Sequence, residues 1–510
     1  MSSHYPASTI MGLLAQGRDE DPAIGAPERP TLSHKGLREL TQRTVAALNA
    51  MGIGRNDRVA MVLPNGPEMA SLFIAVAAGA TTAPLNPAYR AEEFDFYLSD
   101  LNAKALVVLD GMETPAIAAA AARNVPLIKL MPGAIAGDFT LEGPKAAATA
   151  NGGYAEEGDI ALVLHTSGTT SRPKIVPLTQ TNVTASAYHI AQTLHLTPGD
   201  VGLNIMPLFH IHGLIAATLS SISAGASVVC TPGFNALKFF GWMTEANPTW
   251  YTAVPTMHQG ILARAERNRD VIEKGRLRFV RSSSASLPPQ VMEALEKTFG
   301  VPVVEAYGMT EAAHQMASNP LPPSPRYAGS VGMAAGPEVG IMDDNGALLP
   351  SGELGEIVIR GRNVTQGYES NPDANAKAFT NGWFRTGDQG VIDEAGYLRL
   401  TGRLKELINR GGEKISPLEV DTVIMDHPAV AQVVTFAVPH GKLGEDIAAA
   451  VVLREGATCD EKELRAFVAS RVADFKVPRK ILFLAEIPKG ATGKLQRIGL
   501  AEKLGLVEKA

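Results

Sequence analysis

Along most of the chain, short apolar, β-branched runs alternate with longer stretches whose apolar positions recur at helical spacing. Strands are predicted at 57–63, 159–165, 227–230, 249–254, 277–281 and 301–305, interleaved with helices at 67–78, 180–194, 237–246, 255–269 and 288–299. Strands separated by helices of this length need crossover connections, which implies mainly parallel sheets covered by helices. An Ala-rich piece at 115–123 reads as a surface helix, and no fixed-period repeat is present. From Arg326 the texture changes: Gly329, Gly332, Gly336, Gly340, Gly346, Gly352, Gly355 and Gly361 punctuate short strands such as 356–360, a small β-rich section. Beyond Thr401 a compact tail carries strands at 432–438, 447–453 and 481–484 and a helix at 460–472. The expected fold is therefore α/β, with a large N-terminal domain at 1–402 and a small mobile α+β C-terminal domain at 403–510.

Composition narrows the class without fixing it. A chain of 510 residues predicts more than one domain, and 45% apolar with 19% charged residues is ordinary for a globular protein. Two cysteines, Cys230 and Cys459, exclude a disulfide scaffold and any four-thiolate metal site. No uninterrupted apolar run approaches the length of a membrane span, and the start lacks a basic, then apolar leader. Glu508-Lys509-Ala510 is not the peroxisomal Ser-Lys-Leu address, so the expected location is cytoplasmic. The net charge of −6 speaks against a nucleic-acid partner while leaving local anion sites open. What remains informative is where the 49 glycines sit.

Several do sit among groups suited to a nucleotide. Thr166-Ser167-Gly168-Thr169-Thr170-Ser171-Arg172-Pro173-Lys174 follows the strand at 159–165 directly. Backbone N–H groups and hydroxyls can donate to a polyphosphate there, and Lys174 adds a point charge. It is not a Walker A loop, which needs a second glycine before the lysine and a hydroxyl after it. Ser/Thr-rich turns are more often plain polar loops. Tyr307-Gly308-Met309-Thr310-Glu311 places a ring, a hydroxyl and a carboxylate close together, able to stack a base, touch a phosphate and hold Mg²⁺. It reads equally as a helix start capped by Thr310. Thr386-Gly387-Asp388 offers a loop carboxylate for ribose hydroxyls or an Asx-turn. Lys494 lies on a Gly-containing basic turn at 488–497.

These segments occur in one order, and from about Pro27 to Arg497 the chain resembles the adenylate-forming superfamily of acyl-CoA synthetases, luciferases and peptide-synthetase adenylation domains. The resemblance implies a two-step reaction. A carboxylate attacks the α-phosphate of ATP to give an acyl-adenylate and pyrophosphate; the small domain then rotates and the CoA thiol displaces AMP. Carried over position by position, Thr166, Ser167, Gly168, Thr169, Thr170 and Lys174 would hold the β- and γ-phosphates. Tyr307 and Gly308 would lie against adenine, with Ser284 and Ala285 lining that pocket. Thr310 would touch the α-phosphate, Glu311 the Mg²⁺, and Asp388 and Arg403 the ribose. Lys405 matches the hinge position, and Lys494 the lysine that bridges the carboxylate and α-phosphate. Gly411 and Gly412 would swing in to line the pantetheine tunnel. One departure is sharp: Ile175 follows the loop lysine where the family usually has glycine, so the loop is altered or glycine is not needed there.

The acid is also indicated. His210 and His212 in Pro207-Leu208-Phe209-His210-Ile211-His212-Gly213, Ser284, and His314 supply donors where ordinary acyl pockets are apolar. A buried second carboxylate on the substrate must be hydrogen-bonded, and histidines with hydroxyls can do that. His314 lies four residues beyond Thr310, on the same face if that stretch is helical. A metal held by the His-x-His pair and a structural role for His314 are the bland alternatives. Together with segments 250–256, 281–287, 305–314 and 318–322, these positions most resemble the oxalyl-CoA synthetases. That resemblance assigns His210, Ser284 and His314 to the distal carboxylate, with Arg281 as a supporting cation. The expected partners are a small carboxylic acid, ATP, CoA and Mg²⁺, with no membrane, in a monomer or homodimer. Malonyl-CoA or other short-chain synthetases, a hydroxycinnamate ligase, an adenylation module that loads a carrier protein and a catalytically weak binder are the alternatives.

Overall fold

The computed structural model describes residues 5, 7–166, 173–490 and 494–507. Two large sheets form the N-terminal part. The first runs in spatial order Phe139–Glu142, Leu127–Pro132, Ala105–Leu109, Arg58–Val62, Thr81–Pro84, Ile160–Thr166, Lys174–Thr179. Its inner strands are parallel, and the outermost strand at each edge is antiparallel to its neighbour. The second sheet is nine-stranded, with Val201–Asn204, Trp250–Ala253, Phe279–Ser283 and Val303–Met309 as successive parallel neighbours near its centre. Strands such as Val59–Val62 and Trp250–Ala253 are wholly buried on both faces, as parallel strands under helices must be, with Thr252 the one polar residue in the pair. Apart from the partly exposed Glu68 in its first turn, the helix Pro67–Ala77 is buried all round, at the heart of the largest core cluster.

The predicted elements are present at nearly the predicted places, with informative differences. The strand expected to end at Glu305 continues to Met309, because its last residues pair antiparallel with His314–Ser318. The stretch after Thr310 is therefore not a helix. Thr310–Ala312 makes one 3-10 turn, Ala313 and His314 take φ of 48° and 105°, and the chain reverses into the next strand. Asp388 lies within the strand Trp383–Ile392, not in a loop. The helix expected over 255–269 is α-helical at Pro255–Ala265 and then tightens into a 3-10 turn at Glu266–Asn268.

The Gly-rich section forms a five-stranded antiparallel sheet from Glu338–Met342, Gly355–Arg360, Phe379–Thr380, Trp383–Ile392 and Leu398–Arg403. A turn at 404–407 leads from its last strand into a separate sheet built of Ile408–Arg410, Glu413–Ile415, Val430–His440, Gly444–Leu453 and Lys480–Phe483. That sheet has a core of its own, around Ile408, Val420, Ile447, Val451 and Leu464. No helix among the described residues is long and apolar enough to cross a membrane.

Candidate active site

The parallel strands of the second sheet end side by side, and their C-terminal ends, where ligands of open α/β sheets bind, carry Ser284, Ala285, Tyr307, Gly308, Thr310 and Glu311. Phe279–Ser283 delivers Ser284, which takes a left-handed backbone with φ of 76°. Val303–Met309 delivers Tyr307, Gly308 and, just beyond it, Thr310 and Glu311. The reversal at Ala313 aims His314 back toward the same point, where it is buried. A Cβ on Gly308 would lie 1.9 Å from the His314 carbonyl oxygen and 3.1 Å from its Nδ1, so only glycine admits this approach. Non-glycine residues in left-handed backbone cost free energy and cluster at functional sites; Ser284, Ala313 and His314 do so here.

From the other side comes the segment Pro207–Gly213, which sequence reasoning left without a structure. His212–Leu219 is a π-helix continued by Ser220–Ser223, a form that recurs at functional sites. His212 is fully buried, its Nδ1 3.0 Å from Ser284 Oγ and its Nε2 2.6 Å from Thr252 Oγ1. Its ring centroid stands 5.1 Å from that of His314. With both nitrogens engaged, His212 has no free lone pair for a metal. His210 accepts the His212 N–H on Nδ1 at 3.2 Å, which leaves Nε2 as its protonated donor. Burial holds His210, His212 and His314 well below the usual histidine range, and the Lys494 ammonium nearby adds to this. All three are neutral at pH 7. The His314 Nδ1 is buried without a hydrogen-bond partner among the described residues.

Lys494 is thus in electrostatic reach of the three histidines, and burial together with Arg403 lowers its pKa to about 8. Tyr307 donates its hydroxyl to Asp388 Oδ2 at 2.5 Å, and Asp388 Oδ1 accepts Arg403 Nε at 3.0 Å. Base-side and ribose-side candidates are tied together by one carboxylate. Glu311 is buried, burial raises its proton affinity, and it accepts the Tyr368 hydroxyl at 2.8 Å. The Lys174 ammonium lies over the same Tyr368 ring, 4.2 Å from its centroid. Tyr368 escaped sequence reasoning, since nothing in a lone Gly-Tyr pair announces a bridge between lysine and carboxylate. Burial lowers the Lys174 pKa, and the exposed Lys405 nearby lowers it further.

The remaining expectations distribute unevenly. Thr166 ends the strand Ile160–Thr166 opposite Lys174, while Ser167, Gly168, Thr169 and Thr170 lie outside the described residues. Ala285 sits at an exposed loop position. Gly411 and Gly412 form an exposed turn with φ of 62° and 98°. Ile175 is not a damaged glycine. It is an ordinary extended residue paired with His165, buried beside Val62, Leu85 and Val163, and its carbonyl accepts the Glu369 N–H at 3.1 Å. The backbone needs no positive φ there, so a β-branched side chain fills the core without strain.

Comparison with known families matches residues 14–369 to the AMP-binding enzyme family and residues 419–494 to its C-terminal domain. The chain belongs to the AMP-binding enzyme family. It is similar to an oxalate–CoA ligase of Arabidopsis thaliana, 45% identical, the match covering 96% of this chain and 98% of the other. It is likewise similar to a probable CoA ligase of Humulus lupulus, 48% identical over 97% and 96% of the two chains. Among solved structures, ATP-bound MatB from Rhodopseudomonas palustris matches with a TM-score of 0.87 and 31% identity, covering 98% of this chain and all of that one. As in its family, ATP, CoA and a small carboxylic acid are the substrates.

Proposed function

We propose that the protein activates oxalate: the acid attacks the α-phosphate of ATP to give oxalyl-adenylate and pyrophosphate, and CoA then displaces AMP to give oxalyl-CoA. The observation that carries this reading is the buried Nδ1 of His314, unpartnered among the described residues, on a ring packed against the neutral His212, which itself contacts the Ser284 hydroxyl. Buried polar atoms left unpaired are costly, and the missing partner is a group the substrate supplies. A second carboxylate, which only accepts, is such a group when His314 carries its proton on Nδ1. The likeness to an oxalate–CoA ligase over nearly the whole chain supports the same acid.

His210, through Nε2–H, and Ser284 would donate to oxalate, with His314 completing the ring of polar atoms. Lys494 would hold the attacking carboxylate against the α-phosphate, its fixed charge offsetting the charge that builds in the transition state. Tyr307 and Gly308 would lie on adenine; Asp388 and Arg403 would take the ribose hydroxyls. Thr310 would meet the α-phosphate, and Thr166, Lys174 and the loop between them the β- and γ-phosphates. Glu311 suits Mg²⁺, because a single buried carboxylate beside a polyphosphate is how that ion is commonly held. The ion would neutralise phosphate charge, while Tyr368 keeps the Glu311 oxygen and Lys174 in register. For the second step, residues 403–510 would turn about Lys405, withdrawing Lys494 and bringing Gly411 and Gly412 toward the thiol.

An acid panel tests the reading: AMP release that depends on CoA should be fastest with oxalate. Equal or faster turnover of malonate overturns the choice of acid. Acyl-adenylate that accumulates without transfer to free CoA favours a carrier-loading module instead.

A further inference from the structure

Arg281 is the least expected side chain in the molecule. It is 0% exposed near the centre of the second sheet, and its hydrogen-bond partners among the described residues include no carboxylate. Its Nε has no partner among the described residues. Unpaired buried charges are expensive, so one retained beside a ligand pocket has work to do. Its terminal nitrogens face three groups. Nη2 donates to Gln315 Oε1 at 3.3 Å, Nη1 to Thr252 Oγ1 at 3.4 Å, and Nη1 stands 3.5 Å from His212 Nε2. Gln315 is held in this orientation by its own amide, which donates to Thr193 Oγ1 and the Ala335 carbonyl, each at 3.1 Å.

A guanidinium only donates, so Nη1 facing His212 Nε2 at 3.5 Å marks that nitrogen as an acceptor. Thr252 Oγ1 accepts from Arg281 and turns its hydroxyl proton to His212 Nε2. That nitrogen is therefore the acceptor of the ring, and the proton sits on Nδ1. Nδ1–H donates to Ser284 Oγ, which leaves the Ser284 O–H with no choice but to point away from His212. Every titratable or charged group facing the His212 ring, namely Arg281, His314, His210 and Lys494, pushes in the same direction, toward neutral imidazole.

We infer that Arg281 is a positioning residue for substrate choice, acting through Thr252 and His212 to present the Ser284 hydroxyl as a committed donor to the second carboxylate of the acid. The inference rests on the dicarboxylate reading above and deepens it. A committed donor rejects acids lacking the second carboxylate, because they leave it unpaired. The same guanidinium supplies part of the positive potential that a dianion needs and a monoanion does not.

Three variants test the chain: Arg281→Met, Arg281→Lys and Thr252→Val. Each is assayed for oxalate kcat/KM between pH 5.5 and 8 and for the rise in melting temperature on adding MgATP. Expected is a loss of about 100-fold for Arg281→Met and about 10-fold for Thr252→Val, mostly in KM, with the MgATP-induced rise retained. Arg281→Met should also gain an acidic limb, because His212 becomes easier to protonate, and Arg281→Lys should recover most of both losses. Unchanged oxalate kcat/KM in Thr252→Val overturns the chain even if Arg281→Met fails to fold. Loss of the MgATP response in step with oxalate activity makes Arg281 structural and overturns it too. A wild-type enzyme that prefers malonate refutes the choice of acid but not the chain, which is then measured with malonate.

Discussion

His314 and Ile175 show how differently single positions can be read. The His314 imidazole is buried and neutral, with its Nδ1 unpaired among the described residues, and its replacement by Ala should cost oxalate activation at least about 100-fold in kcat/KM. A panel with monocarboxylates checks it, since equal losses for all acids would make the residue structural. Ile175 breaks the family pattern yet packs in the core. Ile175→Gly should therefore not improve activity; it should destabilise by about 3–5 kcal/mol, through the lost side chain and the freed backbone. Denaturant unfolding measures this. The histidines were legible in the sequence because polar residues stood where an acyl pocket should be apolar. Their proton pattern was not, because it depends on Arg281, Thr252 and Gln315 from three different strands.

At the scale of elements, the decisive piece is the reversal between Val303–Met309 and His314–Ser318. The four-residue spacing of Thr310 and His314 suggested one helical face, and the two do converge on one site, but by a strand turn with two left-handed residues. No periodicity in five residues distinguishes these. The closeness of Gly308 to His314 is what the turn demands, so Gly308→Ala should push the strands apart. Expected is loss of both MgATP binding and oxalate turnover, read by equilibrium binding and AMP release. Strands and helices of the parallel sheets were readable because wholly buried strands leave continuous apolar runs, such as Val59–Val62. The π-helix at His212–Leu219 was not, since its apolar run fits any buried helix.

For the molecule as a whole, burial sets a floor on the pH it tolerates. His189 and His258 are pushed down to about 4 and about 3 by burial, and the three site histidines are also well below their ordinary value. Below about pH 6.5 the unfolded chain takes up protons that these buried rings refuse, so stability is lost as pH falls. Each such ring withdraws about 1.4 kcal/mol per pH unit between there and its folded pKa. The melting temperature should fall steeply from pH 6.5 to 4.5, and His258→Asn should flatten that fall. The C-terminal unit bears on the active centre through Lys494. Lys494→Ala should abolish adenylate formation while sparing thioester formation from preformed adenylate, and rapid-quench assays of the two half-reactions separate these.

The depressed pKa of Lys494 reaches beyond catalysis. With a value of about 8, the free enzyme at that pH carries the lysine about half protonated. An arriving dianion raises it, so acid binding in the presence of ATP draws a proton from the buffer. Calorimetric enthalpies measured at pH 8 in buffers of different ionisation enthalpy should differ by an uptake of about half a proton, vanishing near pH 6.5 and in Lys494→Met. Substrate affinity is thereby coupled to proton activity: alkalinity weakens the hold on the acid, and a falling pH, down to the point where the fold itself yields, strengthens it.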